Sequence, residues 1–131
     1  VVHLASPRGA IEPLLHARLD GLAEADQHMA LRDWEASMAR SWLTRAERPA
    51  LVVGDFNLTD ESAIFRRHFG DLRNAFAGCG LGFGNTKHTS KFGSRIDHIL
   101  MTSSFDCTDA EVLPIDGSDH RPLAAMITLR P

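Results

Sequence analysis

Apolar residues open the chain as a short run, then spread into wider stripes, then close up into runs again. Val1-Val2-His3-Leu4 reads as the end of a strand, broken by Ser6-Pro7-Arg8-Gly9. From about Ile11 to Leu22 apolar positions recur at loose helical spacing. A clearer helix is predicted from about Asp26 to Ala46. Asp26 can accept the free N–H groups of its first turn, and Ala30, Trp34, Met38 and Trp42 return every fourth residue as one stripe. Such a stripe predicts a core-facing side rather than a base-stacking platform. Pro49 ends the helix.

Ala50 to Gly54 is a short strand, apolar on both faces, as expected for a central strand under a helical layer. A second helix is predicted up to Phe69, capped by Thr59 or Asp60 and closed by Gly70. Gly78-Cys79-Gly80-Leu81-Gly82-Phe83-Gly84 is dense in glycine, but no strand leads into it and no helix opens after it, so it reads as a loop. Arg95 to Thr102, Ala110 to Leu113 and Leu123 to Leu129 read as strands. In the last, Leu123, Ala125, Ile127 and Leu129 alternate on one face. Strands and helices alternate at first and strands run together later, which predicts a layered α/β architecture.

Composition narrows the classes. The 131 residues allow one compact domain, and 44% hydrophobic content is ordinary for a globular protein. No apolar run approaches the roughly 20 residues that cross a bilayer. A net charge of −3 and a pI near 6.1 leave no global basic field to gather nucleic acid. Cys79 and Cys107 make neither a Cys-x-x-Cys pair nor a zinc spacing, so two ordinary free thiols are expected. Twelve arginines against two lysines, with abundant alanine, point to a GC-rich bacterial genome.

The chemistry-bearing residues gather at strand mouths. Gly54-Asp55-Phe56-Asn57 ends one apolar run, Ser94-Arg95-Ile96-Asp97-His98-Ile99-Leu100 enters another, and Gly117-Ser118-Asp119-His120-Arg121-Pro122-Leu123 precedes the last. Each alone is compatible with a strand-end turn, with Asp55 and Asn57 satisfying backbone donors or Asp97 paired with Arg95. Together they supply groups that could activate water and stabilise developing charge in a hydrolysis. If extended geometry continues through Phe56, alternation aims Asp55 and Asn57 the same way. Asp119 offers the oxygen that a hard divalent cation prefers. His120, once protonated, would stabilise a developing negative charge, with Asp97 as its partner.

In this order the three segments resemble the endonuclease/exonuclease/phosphatase superfamily, deoxyribonuclease-like phosphoesterases that use a divalent metal. The resemblance runs from Val1 to the C-terminus. It implies a four-layer αββα sandwich of two similar halves, of which this chain is expected to be the C-terminal half, residues 1–131: a mixed, mostly antiparallel sheet with helices on one face. It implies Asp55 as general base, Asn57 as the group orienting water or phosphate, Asp97 paired with His120, and His3 near the leaving oxygen as general acid or phosphate contact. Asp119 would be a ligand to Mg2+ or Mn2+, together with a glutamate of the missing N-terminal half, which would also supply an asparagine. His98 alternates to the other face as a packing residue, and His16, His28 and His68 are expected on the solvated surface. Many members carry a Thr-Trp pair near residues 85–91, where this chain has no tryptophan, and Lys87, His88 and Lys91 are expected on an exposed loop.

The resemblance leaves the substrate open among nucleic acid, a phospholipid head group and a small phosphate ester, and the acidic balance leans away from nucleic acid. It also leaves open a cytoplasmic location or a membrane association through an upstream segment. The chain alone is expected to be inactive and to associate through its uncovered sheet face, on the side of Val52 and Met126, with the missing half or as a homodimer. The rival class is a binding module that keeps the fold without catalysis.

Overall fold

The computed structural model describes residues 1–6, 21–88, 92–115 and 117–131, with the side chains of residues 21–24 excepted. The helix expected over 11–22 therefore lies almost wholly outside the described residues, as does His16. In chain order the elements are β1 (Val2–His3), α1 (Gly21–Arg45), β2 (Leu51–Asp55), α2 (Ala63–Phe69), β3 (Arg73–Asn74), α3 (Ala75–Cys79), β4 (Lys87–His88), β5 (Gly93–Ser94), β6 (Asp97–Met101), β7 (Phe105–Val112) and β8 (Leu123–Leu129). A mixed sheet runs β1-β2-β6-β3, with β1 parallel to β2 and β6 antiparallel to both β2 and β3. β4–β5 and β7–β8 form separate antiparallel ribbons, so the chain is a mixed α/β structure with mostly antiparallel pairing.

Alternation along β2 and β6 decides which side is core. Val52 and Gly54 stand opposite Leu100 and His98, and Val52 packs on a buried cluster of Phe56, Phe65, Phe69, Ile64, Leu58, Leu4, Leu100 and Ala36. Phe56 meets Phe69 edge-to-face at 5.1 Å. Val52 was expected on the uncovered face. Instead Leu51, on the opposite face, is 45% exposed.

Helix α1 corrects a larger expectation. It turns Arg32 and Ala36 into the core, with Ala39 against it, and leaves Trp34 59% and Trp42 65% exposed, with Leu31 and Met38 beside them. The phenylalanines already fill the space over the sheet, and small alanine side chains let the helix lie close to them. Three side-chain ties fix that orientation from outside: Asp33 to Arg67 and to His68, both at 2.9 Å, and Arg40 to Asp71 at 2.8 Å. His68 is therefore a partnered residue and not a solvated one.

Residues 59–62 form a turn before α2, with the Ser62 N–H donating to the Thr59 carbonyl. This hands the capping role to Ser62, whose hydroxyl accepts from the Phe65 N–H at 3.1 Å. β7 is longer than Ala110–Leu113 because polar residues within it are paired; Asp106, for example, takes both Arg73 and Arg130. Cys79 and Cys107 are joined as a disulfide, their Cα atoms 6.1 Å apart, where free thiols were expected. They stand 28 positions apart in sequence, and the packing of α3 against β7 brings them together. No described helix is long and apolar enough to cross a membrane.

Candidate active site

Asp55 and Asp97 end the β2–β6 ladder as directly opposed residues, on the face away from the phenylalanine core. Like charges facing each other across a strand pair are unfavourable unless cations share them. Gly54 permits this arrangement: at φ +144°, a Cβ there would stand 1.9 Å from the Val2 carbonyl oxygen, so only glycine lets β1 pair in parallel beside the site.

The strand does not continue in extended form to Asn57. Phe56 is fully buried, its N–H donates to the Ile96 carbonyl at 2.8 Å, and Asn57 adopts φ +49°. Asparagine tolerates that left-handed conformation better than most residues. Asp55 and Asn57 are therefore not set parallel by alternation. Asp55 Oδ1 accepts the Asn57 N–H at 2.7 Å, and Asn57 Nδ2 donates to the Leu4 carbonyl at 2.8 Å. The second Asp55 oxygen, Oδ2, lies 3.9 Å from Nε2 of His3 and 3.9 Å from Nε2 of His120.

His120 Nδ1 lies 2.9 Å from Asp97 Oδ2. A carboxylate accepts, so Nδ1–H is the donor, and this turns Nε2 toward Asp55. Asp97 is held in turn by Thr86, fully buried, whose hydroxyl accepts the N–H groups of Ile96 at 3.2 Å and Asp97 at 3.1 Å. The Thr86 carbonyl takes the Arg121 N–H at 2.7 Å, and Lys87 bridges His120 by backbone pairing. Thr86, Lys87 and His88 thus form a frame around His120 rather than an exposed loop, while Lys91 lies outside the described residues.

Asp55, Asp97 and His120 form a group of potential metal ligands whose donor atoms lie within 4.8 Å of one another. Two carboxylates and an imidazole are a donor set that could hold a divalent cation. Asp119 is not among the three. Its carboxylate, on a side chain 56% exposed, accepts from Lys87, which holds its pKa below the usual range. His3, with its side chain 78% exposed, stands at the mouth. Arg95 does not pair with Asp97; it takes Asp60 at 2.6 Å and the Phe83 carbonyl at 3.0 Å. His98 is fully buried on the core face, bonded at Nε2 to the Leu58 carbonyl (2.8 Å) and at Nδ1 to the Asn74 amide (3.1 Å), and burial pushes its pKa down.

No curated protein gives a significant match to the chain. Among solved structures it is similar to an endonuclease/exonuclease/phosphatase from Bacteroides vulgatus, at 25% identity and TM-score 0.66, covering 77% of this chain and 45% of that one. It is also similar in fold to a mannosyl-6-phosphatase from Bacteroides thetaiotaomicron, at 24% identity and TM-score 0.62, covering 76% and 46%. A protein of unknown function from Enterococcus faecalis aligns at 21% identity and TM-score 0.65, covering 77% and 45%. The chain thus spans less than half the length of these structures. The family model of the same class matches residues 4–120, from the exit of β1 through the first two strand-mouth segments and into the third as far as His120, and the chain belongs to the Endonuclease/Exonuclease/phosphatase family.

Proposed function

We propose that the full-length protein hydrolyses a phosphate ester with the help of Mg2+ or Mn2+. The observation that supports this most is the Asp55–His120–Asp97 arrangement, with one imidazole held by Asp97 and facing the Asp55 carboxylate across 3.9 Å. In this reading Asp55 accepts the proton of the attacking water, which Asn57 orients. His120, carrying positive charge, donates from Nε2 to a phosphoryl oxygen as negative charge builds there, and Asp97 keeps the ring oriented and its charge compensated. His3 protonates or contacts the leaving oxygen. A cation would be held by Asp119, on leaving Lys87, and by a glutamate of the upstream half, which leaves Asp55 to take the proton and Asp97 to hold His120. The bound ion would supply positive charge over the phosphate.

The substrate favoured is a small phosphate ester or a phospholipid head group, because the net charge of −3 opposes a polyanion. The similar fold of a mannosyl-6-phosphatase makes mannose 6-phosphate a sensible probe. The 131-residue chain alone would lack turnover and would associate through the sheet face that carries Leu51 and through Met126 of β8, which is 65% exposed. Light scattering of the isolated chain checks this: a monodisperse monomer at high concentration contradicts the half-domain reading.

The test of function uses the full-length protein with bis-p-nitrophenyl phosphate, mannose 6-phosphate, phospholipid vesicles and plasmid DNA, each with Mn2+ or Mg2+ and again with chelator. Turnover that requires metal is the expected result. Turnover that survives chelation removes the metal, and silence on all four substrates favours a non-catalytic binding module.

A further inference from the structure

Helix α1 carries a charged residue where packing alone would favour an apolar one. Arg32 is 6% exposed, on the side of the helix that faces the phenylalanine core. Its Nη2 donates to the backbone carbonyl of Asn57, the residue at φ +49°. Nη1 reaches only the Met29 sulfur, at 3.9 Å, and Nε has no partner among the described residues. Burying a guanidinium is unfavourable unless its hydrogen bonds are well made. Among the described residues, its one strong acceptor is the carbonyl of the residue next to the site. One turn along, Glu35 Oε2 accepts the Ala5 N–H at 2.7 Å.

These bonds close a circuit. Arg32 holds Asn57, whose side chain holds the Leu4 carbonyl at 2.8 Å; the Leu4 N–H returns to the Asp55 carbonyl at 3.0 Å, and Ala5 returns to Glu35 on the same helix. Asp55 hangs on this circuit, because its Oδ1 takes the Asn57 N–H at 2.7 Å. The position of Asn57 therefore sets where the second Asp55 oxygen, Oδ2, points.

We infer that Arg32 is a positioning residue for the reaction, with Glu35 as its support: from α1 it fixes the left-handed turn at Asn57 and, through the Asn57 amide, the aim of the Asp55 carboxylate. The inference rests on the phosphoesterase reading above. It separates two jobs on one helix, since the exposed Trp34 side has no part in it. Without the guanidinium, Asn57 can relax toward an ordinary backbone conformation and carry the Asp55 oxygen with it, and small misplacements of a reacting group are expensive in rate.

The experiment measures kcat and KM for bis-p-nitrophenyl phosphate with Mn2+ in full-length wild type, Arg32→Ala, Arg32→Lys and Trp34→Ser, with a melting curve for each. Arg32→Ala should lose about 10- to 100-fold in kcat with KM within about threefold, by the effect of misplacement. Millimolar guanidinium chloride should restore part of the loss, and ammonium should not. Trp34→Ser should match wild type. Should Arg32→Ala fail to fold, Arg32→Lys keeps a charge and most of the length, and the same fall in kcat at constant KM is expected of it. A folded Arg32 variant with wild-type kcat overturns the inference alone, as does a loss that follows only the unfolded fraction. A wild-type protein without metal-dependent turnover overturns the phosphoesterase reading, and the inference falls with it.

Discussion

The two faces of the β1-β2-β6-β3 sheet are made by alternate residues of the same strands, yet they are built to opposite ends. On one, Val52, Gly54, His98 and Leu100 meet Phe56, Phe65 and Phe69, and even the imidazole of His98 has both nitrogens engaged. On the other, Asp55 and Asp97 stand opposed, and Asp55 keeps one oxygen facing two imidazoles at 3.9 Å. A packed face fills its hydrogen-bonding capacity within the fold. A reactive face holds some capacity open for water, ion or substrate. Period-two alternation lets a single strand pair do both, and Gly54-Asp55-Phe56-Asn57 is where the two duties interleave residue by residue.

Substitutions break this contrast in ranked order. Phe56→Ala removes the ring at the centre of the packed face and should destabilise the full-length protein by about 3–5 kcal/mol, measured by urea denaturation. A cost below about 1 kcal/mol would mean that the core does not depend on this ring. Cys79→Ser opens the link between α3 and β7. Loop-entropy arguments for a closed segment of 28 residues give about 2–4 kcal/mol, to be read as a lower urea midpoint. An unchanged midpoint would show that the two sulfurs are not bonded in solution.

His98 sharpens the contrast through pH. Burial lowers its pKa, with the Leu58 carbonyl opposing, so the folded protein holds it neutral. As pH falls below about 6.5 the unfolded chain binds the proton first. The stability that depends on neutral His98 is thus present above that pH and is lost on acidification toward the folded pKa. The urea midpoint should drop between pH 7.5 and pH 5.5, and His98→Gln should flatten that slope. An equal slope in the two proteins would contradict the assignment. The smallest effect belongs to Trp34→Ser, on the outer side of α1, which should leave the midpoint within about 0.5 kcal/mol of wild type.

Much of this was legible along the chain. The apolar run ending at Asp55, the alternation of Leu123 to Leu129 and the three strand-mouth segments indicated the layered α/β class and brought forward Asp55, Asp97 and His120, which the structure gathers. Four features were not legible, for physical reasons. The stripe of Ala30, Trp34, Met38 and Trp42 marks one side of a helix but not where the body of the protein lies, and a buried arginine at Arg32 reads as a surface residue in any hydropathy pattern. Thr86 gains its importance only because the fold brings two backbone N–H groups to its hydroxyl. Cys79 and Cys107, far apart in sequence, show their pairing only through the contact of α3 with β7. Tertiary contact decides each of these, and local pattern does not carry it.

The most direct test concerns the reactive face itself. In the full-length protein, Asp55→Ala and His120→Ala are each assayed at saturating substrate with Mn2+, beside a melting curve. The account predicts a loss of about 100- to 10,000-fold in kcat for each while the protein remains folded, the range for a positioned acid–base or charge-stabilising group. Folded variants that keep kcat within twofold of an active wild type would contradict it, because the opposed carboxylates and the imidazole between them would then be a strand-end arrangement without chemistry.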